Sequence, residues 1–261
     1  MAIEKEMKLA LGGTTPQALT QWLQQRASAV APGARAGDKR VGSSGRASTF
    51  ALRNIYYDTP ALDLARGKIA LRLRLSPHGW LQTLKTAGKS VSGLHARGEW
   101  EMPVAGPSLD LEALRTACDD PAALTTLQAF HDAGIALIPV FRTDFDRTVW
   151  PIRHHHADIE VALDLGKVFV PDERNDAPHA DSASLAIEEL ELELQGGDGS
   201  DEERETALVD FANTLRATFP DLRADDTSKA ARGYALFKAR QALPVSSSGN
   251  ATPGSAQGGA V

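Results

Sequence analysis

Cysteine is almost missing from this sequence. Cys118 stands alone among 261 residues, which excludes an internal disulfide and a multi-cysteine zinc site and leaves Cys118 as a small buried hydrophobe. Long apolar runs are missing too. No span reaches the roughly 18 apolar residues of a membrane helix, and the first residues show no basic segment followed by an apolar one, so a cytoplasmic protein without membrane contact is expected. An excess of positive charge is also lacking. The 28 Lys and Arg against 34 Asp and Glu leave a formal net charge of −6, which argues against nucleic-acid binding over a basic surface but leaves room for a local basic pocket.

What is present is the composition of a folded chain, 42% hydrophobic and 24% charged, with enough apolar residues for a sizeable core. Thr15 before Pro16 and the apolar spacing after it predict a short helix. "PGARAGDKRVGSSGRAST" has almost nothing to bury and reads as a long mobile loop. Strands are predicted in "FALRNIYYDTP", "KIALRLRLS", "WLQTLKTA" and "HARGEWEMPV", with turn chemistry at Asp58-Thr59-Pro60 and Pro77-His78-Gly79. Two helices follow over about residues 108 to 134, with Ser108 and Asp120 as caps and Gly134 as the stop. Strands resume in "LIPVFRTDFDRTVWPI", "ADIEVALDLGKVFV" and "LAIEELELELQGG", and two more helices close the pattern. The domain is expected to end near residue 243, with residues 244–261 as a disordered Gly, Ser and Ala tail.

The charges on the strands are ordered. Glu4, Glu6 and Lys8 alternate with Ile3, Met7 and Leu9; Arg72 and Arg74 alternate with Leu71, Leu73 and Leu75; Glu189, Glu191 and Glu193 alternate with leucines. Arg97, Glu99 and Glu101 form another such set, and Lys85 ends a further strand. Because successive strand side chains point to opposite faces, each strand puts its charges on one side and its aliphatics on the other. Strand by strand, an antiparallel sheet with leucine inward and charges in water accounts for this. Two features favour the reverse. Neutral polar residues are nearly absent from the charged faces, and the signs are grouped, so that three adjacent glutamates would repel unless something positive sat between them, as at a metal site. If the sheet closes on itself, helices cover the aliphatic exterior and the charges line a lumen.

Here a resemblance enters. Glu4-x-Glu6-x-Lys8, then Arg72-x-Arg74, Lys85, Arg147, Asp164, Glu189-x-Glu191-x-Glu193 and Lys229, in that order, resemble the CYTH family of triphosphate tunnel metalloenzymes over about residues 2 to 240. "WLQTLKTAGKSVSGLHARGEWE" and "VFRTDFDRTVW" are most similar to its bacterial inorganic triphosphatases, in which a helical CHAD domain often follows the barrel. The resemblance implies an α+β fold that is mainly antiparallel β, a closed eight-stranded β-barrel tunnel jacketed by helices. It also implies a divalent metal, Mg²⁺ or Mn²⁺, held by Glu4, Glu6 and Glu193. A triphosphate would be gripped by Lys8, Arg72, Arg74, Lys85, Arg147, Lys229 and Arg232. Glu191, with Asp164 or Glu101, would orient or deprotonate the attacking water. Arg forks and Lys point charges suit a chain of phosphoryl groups, and all-oxygen ligands suit a hard ion.

Several readings stay open at this point. A class IV adenylyl cyclase, a thiamine or nucleoside triphosphatase and a non-catalytic polyphosphate-binding module share these landmarks, and both monomer and homodimer fit them. Arg142 and Arg147 are an odd number apart, so strand parity lets one of them into the lumen, and Arg147 is the one the resemblance selects. Arg232 reads equally as a second clamp and as a partner of Asp225 or Asp226. Arg97 and Glu99 read as lumen residues or as a cross-strand pair. His154, His155 and His156 invite a metal reading, but alternation along a strand would keep all three off one ion, and a solvated hairpin is expected. Tyr56 is expected to pack rather than bind. "GKS" at 88–90 is not a phosphate loop, because Thr83 stands where the motif needs its first glycine.

Overall fold

The computed structural model describes residues 3–28, 47–86, 88–171 and 184–242. The expected mobile loop lies largely, and the expected tail wholly, outside the described residues. Among the described residues there are ten strands: β1 (Ile3–Ala10), β2 (Ser48–Asp58), β3 (Ala70–Ser76), β4 (Gly79–Lys85), β5 (Lys89–Val91), β6 (Leu94–Val104), β7 (Ile138–His154), β8 (Ala157–Phe169), β9 (Ser184–Gly197) and β10 (Arg223–Ala224). Eight of them form an antiparallel ring in the order β1-β9-β8-β7-β2-β3-β4-β6, closed by the pairing of β6 with β1. The short β5 and β10 hang on β6 and β1 outside that ring. Closure leaves the ring without a free edge and gives it an inside and an outside.

Apolar residues took the outside. Leu9, Leu190, Leu192, Val161, Leu163 and Trp150 pack against α1 (Pro16–Ser28) and α5 (Asp201–Thr218) through Leu19, Leu23, Leu208, Phe211 and Leu215. Leu71, Leu84 and Trp100 pack against α2 (Asp63–Arg66), α3 (Leu111–Ala117) and α4 (Pro121–Asp132). The hydrophobic driving force is thus spent between barrel and helices, and the alternate residues are left facing the lumen.

The helices start where local chemistry allows. Asp120 caps α4 with Pro121 at its first position, and Ser200 with Glu203 forms a capping box on α5. Asp110, not Ser108, caps α3, accepting from the Ala113 N–H; its carboxylate stands three residues before that donor, the spacing a cap requires. The four-residue α2 is too short for periodicity to reveal. It is held by the buried Asp58, whose carboxylate accepts from the backbone N–H groups of Thr59, Leu64 and Ala65.

The last helix, α6 (Lys229–Gln241), borders the lumen through Lys229, Ala230, Ala231 and Tyr234. Its Tyr234 joins Leu52, Tyr56, Phe141, Phe145, Val168 and Ile187 in an apolar plug. Gly233 lets it sit that close: a Cβ there would lie 2.1 Å from a ring carbon of Phe141. That ring cannot step aside, being stacked 4.5 Å from Tyr56 and set edge-on 5.0 Å from Tyr234. Gly233→Ala is therefore expected to destabilise the fold by about 1–3 kcal/mol through overpacking, read as a lower urea midpoint at unchanged slope.

Candidate functional site

The lumen holds a cavity of about 960 Å³ lined by the alternate charged residues of the strands and by Leu52, Tyr56 and Tyr234 of the plug. The sequence-predicted residues gather there from eight elements, all of them lining the cavity except Asp164, which pairs with the lining Arg147 and Lys229, and Arg232, which pairs with Glu189. Glu4, Glu6 and Lys8 come from β1, Arg72 and Arg74 from β3, Lys85 from β4, Glu101 from β6, Arg147 from β7, Asp164 from β8, Glu191 and Glu193 from β9, and Lys229 and Arg232 from α6. Parity chose between the two β7 arginines: Arg147 is the register partner of Asp164 and reaches into the lumen, whereas Arg142 is on the outer side near Asp144.

Beside the plug, carboxylates are neutralised by protein cations. Arg147 grips Asp164 through two hydrogen bonds of 2.7 Å and also donates to Glu191. The Lys229 ammonium lies 2.6 Å from Asp164 and 2.8 Å from Glu191, pairs with Glu189, and sits 4.9 Å from the Phe145 ring. Burial alone would protonate these acids. Lys229 and Arg147 overcome it, holding Glu191 well below the usual carboxylate range and Asp164 below it also. Arg232 pairs with Glu189 rather than with Asp225 or Asp226, because the turn of helix after Lys229 faces the barrel wall. Lys8 is buried and 4.0 Å from Glu191. The expectation that something positive must separate the three glutamates of β9 is met for two of them by Lys229 and Arg147, not by a metal. The close trio of carboxylates Asp164, Glu189 and Glu191 surrounds an ammonium.

The third glutamate is different. Glu193 is the direct register partner of Glu6 on one side and of Glu160 on the other, so three carboxylates stand abreast across β1, β9 and β8. Glu160 was not singled out from the sequence, although it shares a strand face with Asp164, four residues on. Among the described residues neither Glu193 nor Glu160 has an ion-pair partner within 4.0 Å. Like charges placed opposite each other repel. Burial, then Glu4 and Glu160, push the Glu193 carboxyl up to about 8. Glu160 is raised by burial, with Glu191 and Asp164 adding to it, and Glu6 by burial, Glu191 and Glu4. Glu4 stands between the two regimes: Lys85 at 2.8 Å and Arg97 at 3.0 Å outweigh its burial and hold it low. Arg97 also donates to Glu6 at 2.7 Å, so it is a lumen residue, and Glu99 joins it there by accepting from Lys85 at 2.9 Å.

Across the lumen the imbalance has the opposite sign. Arg72 and Arg74 have Glu99 and Glu101 only at 3.8–4.0 Å, and the buried Arg72 Nε has no hydrogen-bond partner. Arg74 donates to Asn54 Oδ1 at 2.9 Å. Burial and repulsion from Arg72 and Arg147 lower the Arg74 guanidinium to about 10. Tyr56, read as a packing residue, does stack on Phe141, and it also borders Arg72, whose charge holds its hydroxyl below the usual value despite burial. Glu101 accepts from Thr83 at 3.1 Å and is the most exposed member of this wall.

An oxygen-rich wall short of cations thus faces a guanidinium wall short of anions. The model of the CYTH domain matches residues 40–234. The chain belongs to the CYTH domain family. This CYTH barrel is 36% identical over 186 residues to an inorganic triphosphatase of Haemophilus influenzae, covering 71% of this chain and 46% of that protein. It therefore spans about half the length of the curated relative it matches. Solved structures with similar coordinates include a putative adenylyl cyclase from Hippeastrum, described as having a dominant triphosphatase activity, at 20% identity and TM-score 0.49, covering 92% of this chain and 98% of that one. A putative adenylate cyclase from Bacillus halodurans matches at 18% identity and TM-score 0.45, covering 89% and 98%. These likenesses are distant, and the closed barrel rests on its own strand pairing. No described helix is long and apolar enough to cross a membrane.

Proposed function

We propose that the CYTH barrel hydrolyses inorganic triphosphate to pyrophosphate and phosphate with a divalent metal, Mg²⁺ or Mn²⁺. The observation that carries this reading is the pairing of two imbalanced walls in one lumen, the register partners Glu193 and Glu160 with no ion pair within 4.0 Å against Arg72 and Arg74, whose carboxylate neighbours stand only at 3.8–4.0 Å. The acidic wall fits a hard divalent ion: its donors are all carboxylate oxygens, abreast and with no ion pair within 4.0 Å at Glu193 and Glu160. Glu4, Glu6, Glu193 and Glu160 would hold that ion. When bound, it supplies positive charge to phosphate oxygens as charge shifts in the reaction.

The residues of the chain do the rest. Arg72, Arg74 and Arg147, with Lys8 and Lys85 as point charges, bind and align the phosphoryl chain, and their preset positions mean that little reorganisation accompanies transfer. Water adds to the terminal phosphorus, its bond to the bridging oxygen breaks, and pyrophosphate leaves. Phosphoryl transfer of this kind asks more of positioning than of proton abstraction. Glu191, kept ionised by Lys229 and Arg147, is a weak base but a firm acceptor, so its role is to orient the attacking water rather than to deprotonate it. Asp164 positions Arg147, and Glu101 marks the arginine wall near solvent.

The test incubates the purified chain with tripolyphosphate, ATP and thiamine triphosphate, each with and without Mg²⁺ or Mn²⁺, and resolves phosphate, pyrophosphate and cyclic AMP. Metal-dependent phosphate and pyrophosphate in equal amounts from tripolyphosphate are expected. Cyclic AMP from ATP as the main product, or tight binding without turnover, would replace the reading with a cyclase or a binding module.

A further inference from the structure

The three consecutive histidines lie at a hairpin turn, as expected, yet two of their rings come together. In the β7–β8 hairpin His154 pairs with Ala157, leaving His155 and His156 as a two-residue turn. His155 adopts φ +48°, the left-handed region, and this turns its ring back over that of His154, with centroids 4.2 Å apart. Both rings then face Asp210 on α5. His154 Nε2 is 2.7 Å and His155 Nε2 3.4 Å from the same Oδ2, and the three donor atoms all lie within 4.8 Å of one another.

We propose that His154, His155 and Asp210 form a surface site for a divalent transition ion of the zinc type, separate from the tunnel. Two imidazoles and a carboxylate are the donor set that borderline ions prefer, in contrast to the all-carboxylate tunnel wall. The spacing suits it: bonds of about 2.0–2.1 Å around a tetrahedral ion put neighbouring donors about 3.3 Å apart, and water would complete the shell. The site is braced from three sides. The His156 carbonyl accepts from Asp198 N–H at 2.9 Å, Arg153 ties Asp158 and Asp198 together across the hairpin at 2.8 and 2.6 Å, and the His154 ring rests 5.1 Å from Phe211, the neighbour of Asp210. Among the described residues, the other trio of such ligands packed as tightly already surrounds the Lys229 ammonium. A bound ion would pin the hairpin to α5.

The experiment titrates Zn²⁺ calorimetrically into the full chain in excess Mg²⁺, and records Cu²⁺ electron paramagnetic resonance at one equivalent. His155 and Asp210 are 63% and 54% exposed, so His155→Gln and Asp210→Asn are expected to fold normally. One Zn²⁺ should bind the parent, with affinity falling at least about tenfold to a hundredfold in each variant, while Glu193→Gln leaves it unchanged. The Cu²⁺ spectrum should show two nitrogen ligands in the parent and one in His155→Gln. No Zn²⁺ binding at millimolar concentration, or isotherms unaltered by both surface variants, would overturn the proposal.

Discussion

Glu193→Gln is expected to leave a protein that melts higher than the parent at pH 8 without added metal, yet turns over triphosphate at least a hundredfold more slowly. The two effects share one cause. Glu193 stands between Glu6 and Glu160 with no ion pair within 4.0 Å, and burial with its acidic neighbours outweighs the more distant Lys85 and lifts its carboxyl from 4.5 to about 8. Between those values the folded chain keeps a proton that the unfolded chain has released. Stability is therefore full at low pH in this window and is lost as pH rises towards 8, at about 1.4 kcal/mol per unit for one group. The amide cannot ionise, so the variant's melting temperature should fall less steeply between pH 5 and 8. Divalent metal should raise the melting point of the parent at pH 8 and barely affect the variant. The loss of rate follows from removing a ligand, since even groups behind metal ligands cost about 10–100-fold when lost. Thermal melts across pH with and without Mg²⁺, set beside initial rates, measure both sides. A variant with parental rate and metal response would remove Glu193 from the site.

Lys229→Met should act in the opposite direction, lowering stability by about 3–5 kcal/mol, the range for breaking a buried ion pair from one side. The ammonium serves Asp164, Glu189 and Glu191 at once, two of them fully buried. Without it the three acids face one another with only Arg147, Arg232 and the more distant Lys8 to offset them. The cost should shrink in Lys229→Met/Glu189→Gln, because removing a second partner relieves the uncompensated charge, and the double-mutant cycle isolates that coupling. Additive losses would show that Lys229 anchors α6 by packing alone. The Gly233→Ala comparison bears on the same question, since it disturbs the plug without touching the charges.

Much of the site was legible before any fold. Strand parity put Arg147 and Arg142 on opposite faces, and alternation, a property of two neighbouring residues, put Glu4 with Glu6, Arg72 with Arg74 and Glu191 with Glu193 on shared faces, while the family resemblance chose Arg147 and turned these faces to the lumen. What parity could not reveal was partnership. Glu189, Glu191 and Glu193 read alike as one row, yet Lys229, from a helix almost forty positions away, neutralises the first two and leaves the third. Arg232 found Glu189 for the same reason. The histidine triplet forms the expected hairpin turn and His156 stays out of the cluster, but one left-handed residue brings His154 and His155 together, which alternation could not show.

By itself, the sequence determined that charged and aliphatic side chains would lie on opposite faces of β3 and of residues 189–194 of β9, and nearly so of β1, because the two-residue period is set by local backbone geometry. Which face became the interior was decided only when β6 paired with β1 and helices covered the leucines. The division of the acids into a neutralised set and an uncompensated set was decided there too, because electrostatic balance depends on which groups, far apart in the chain, are brought within a few ångströms.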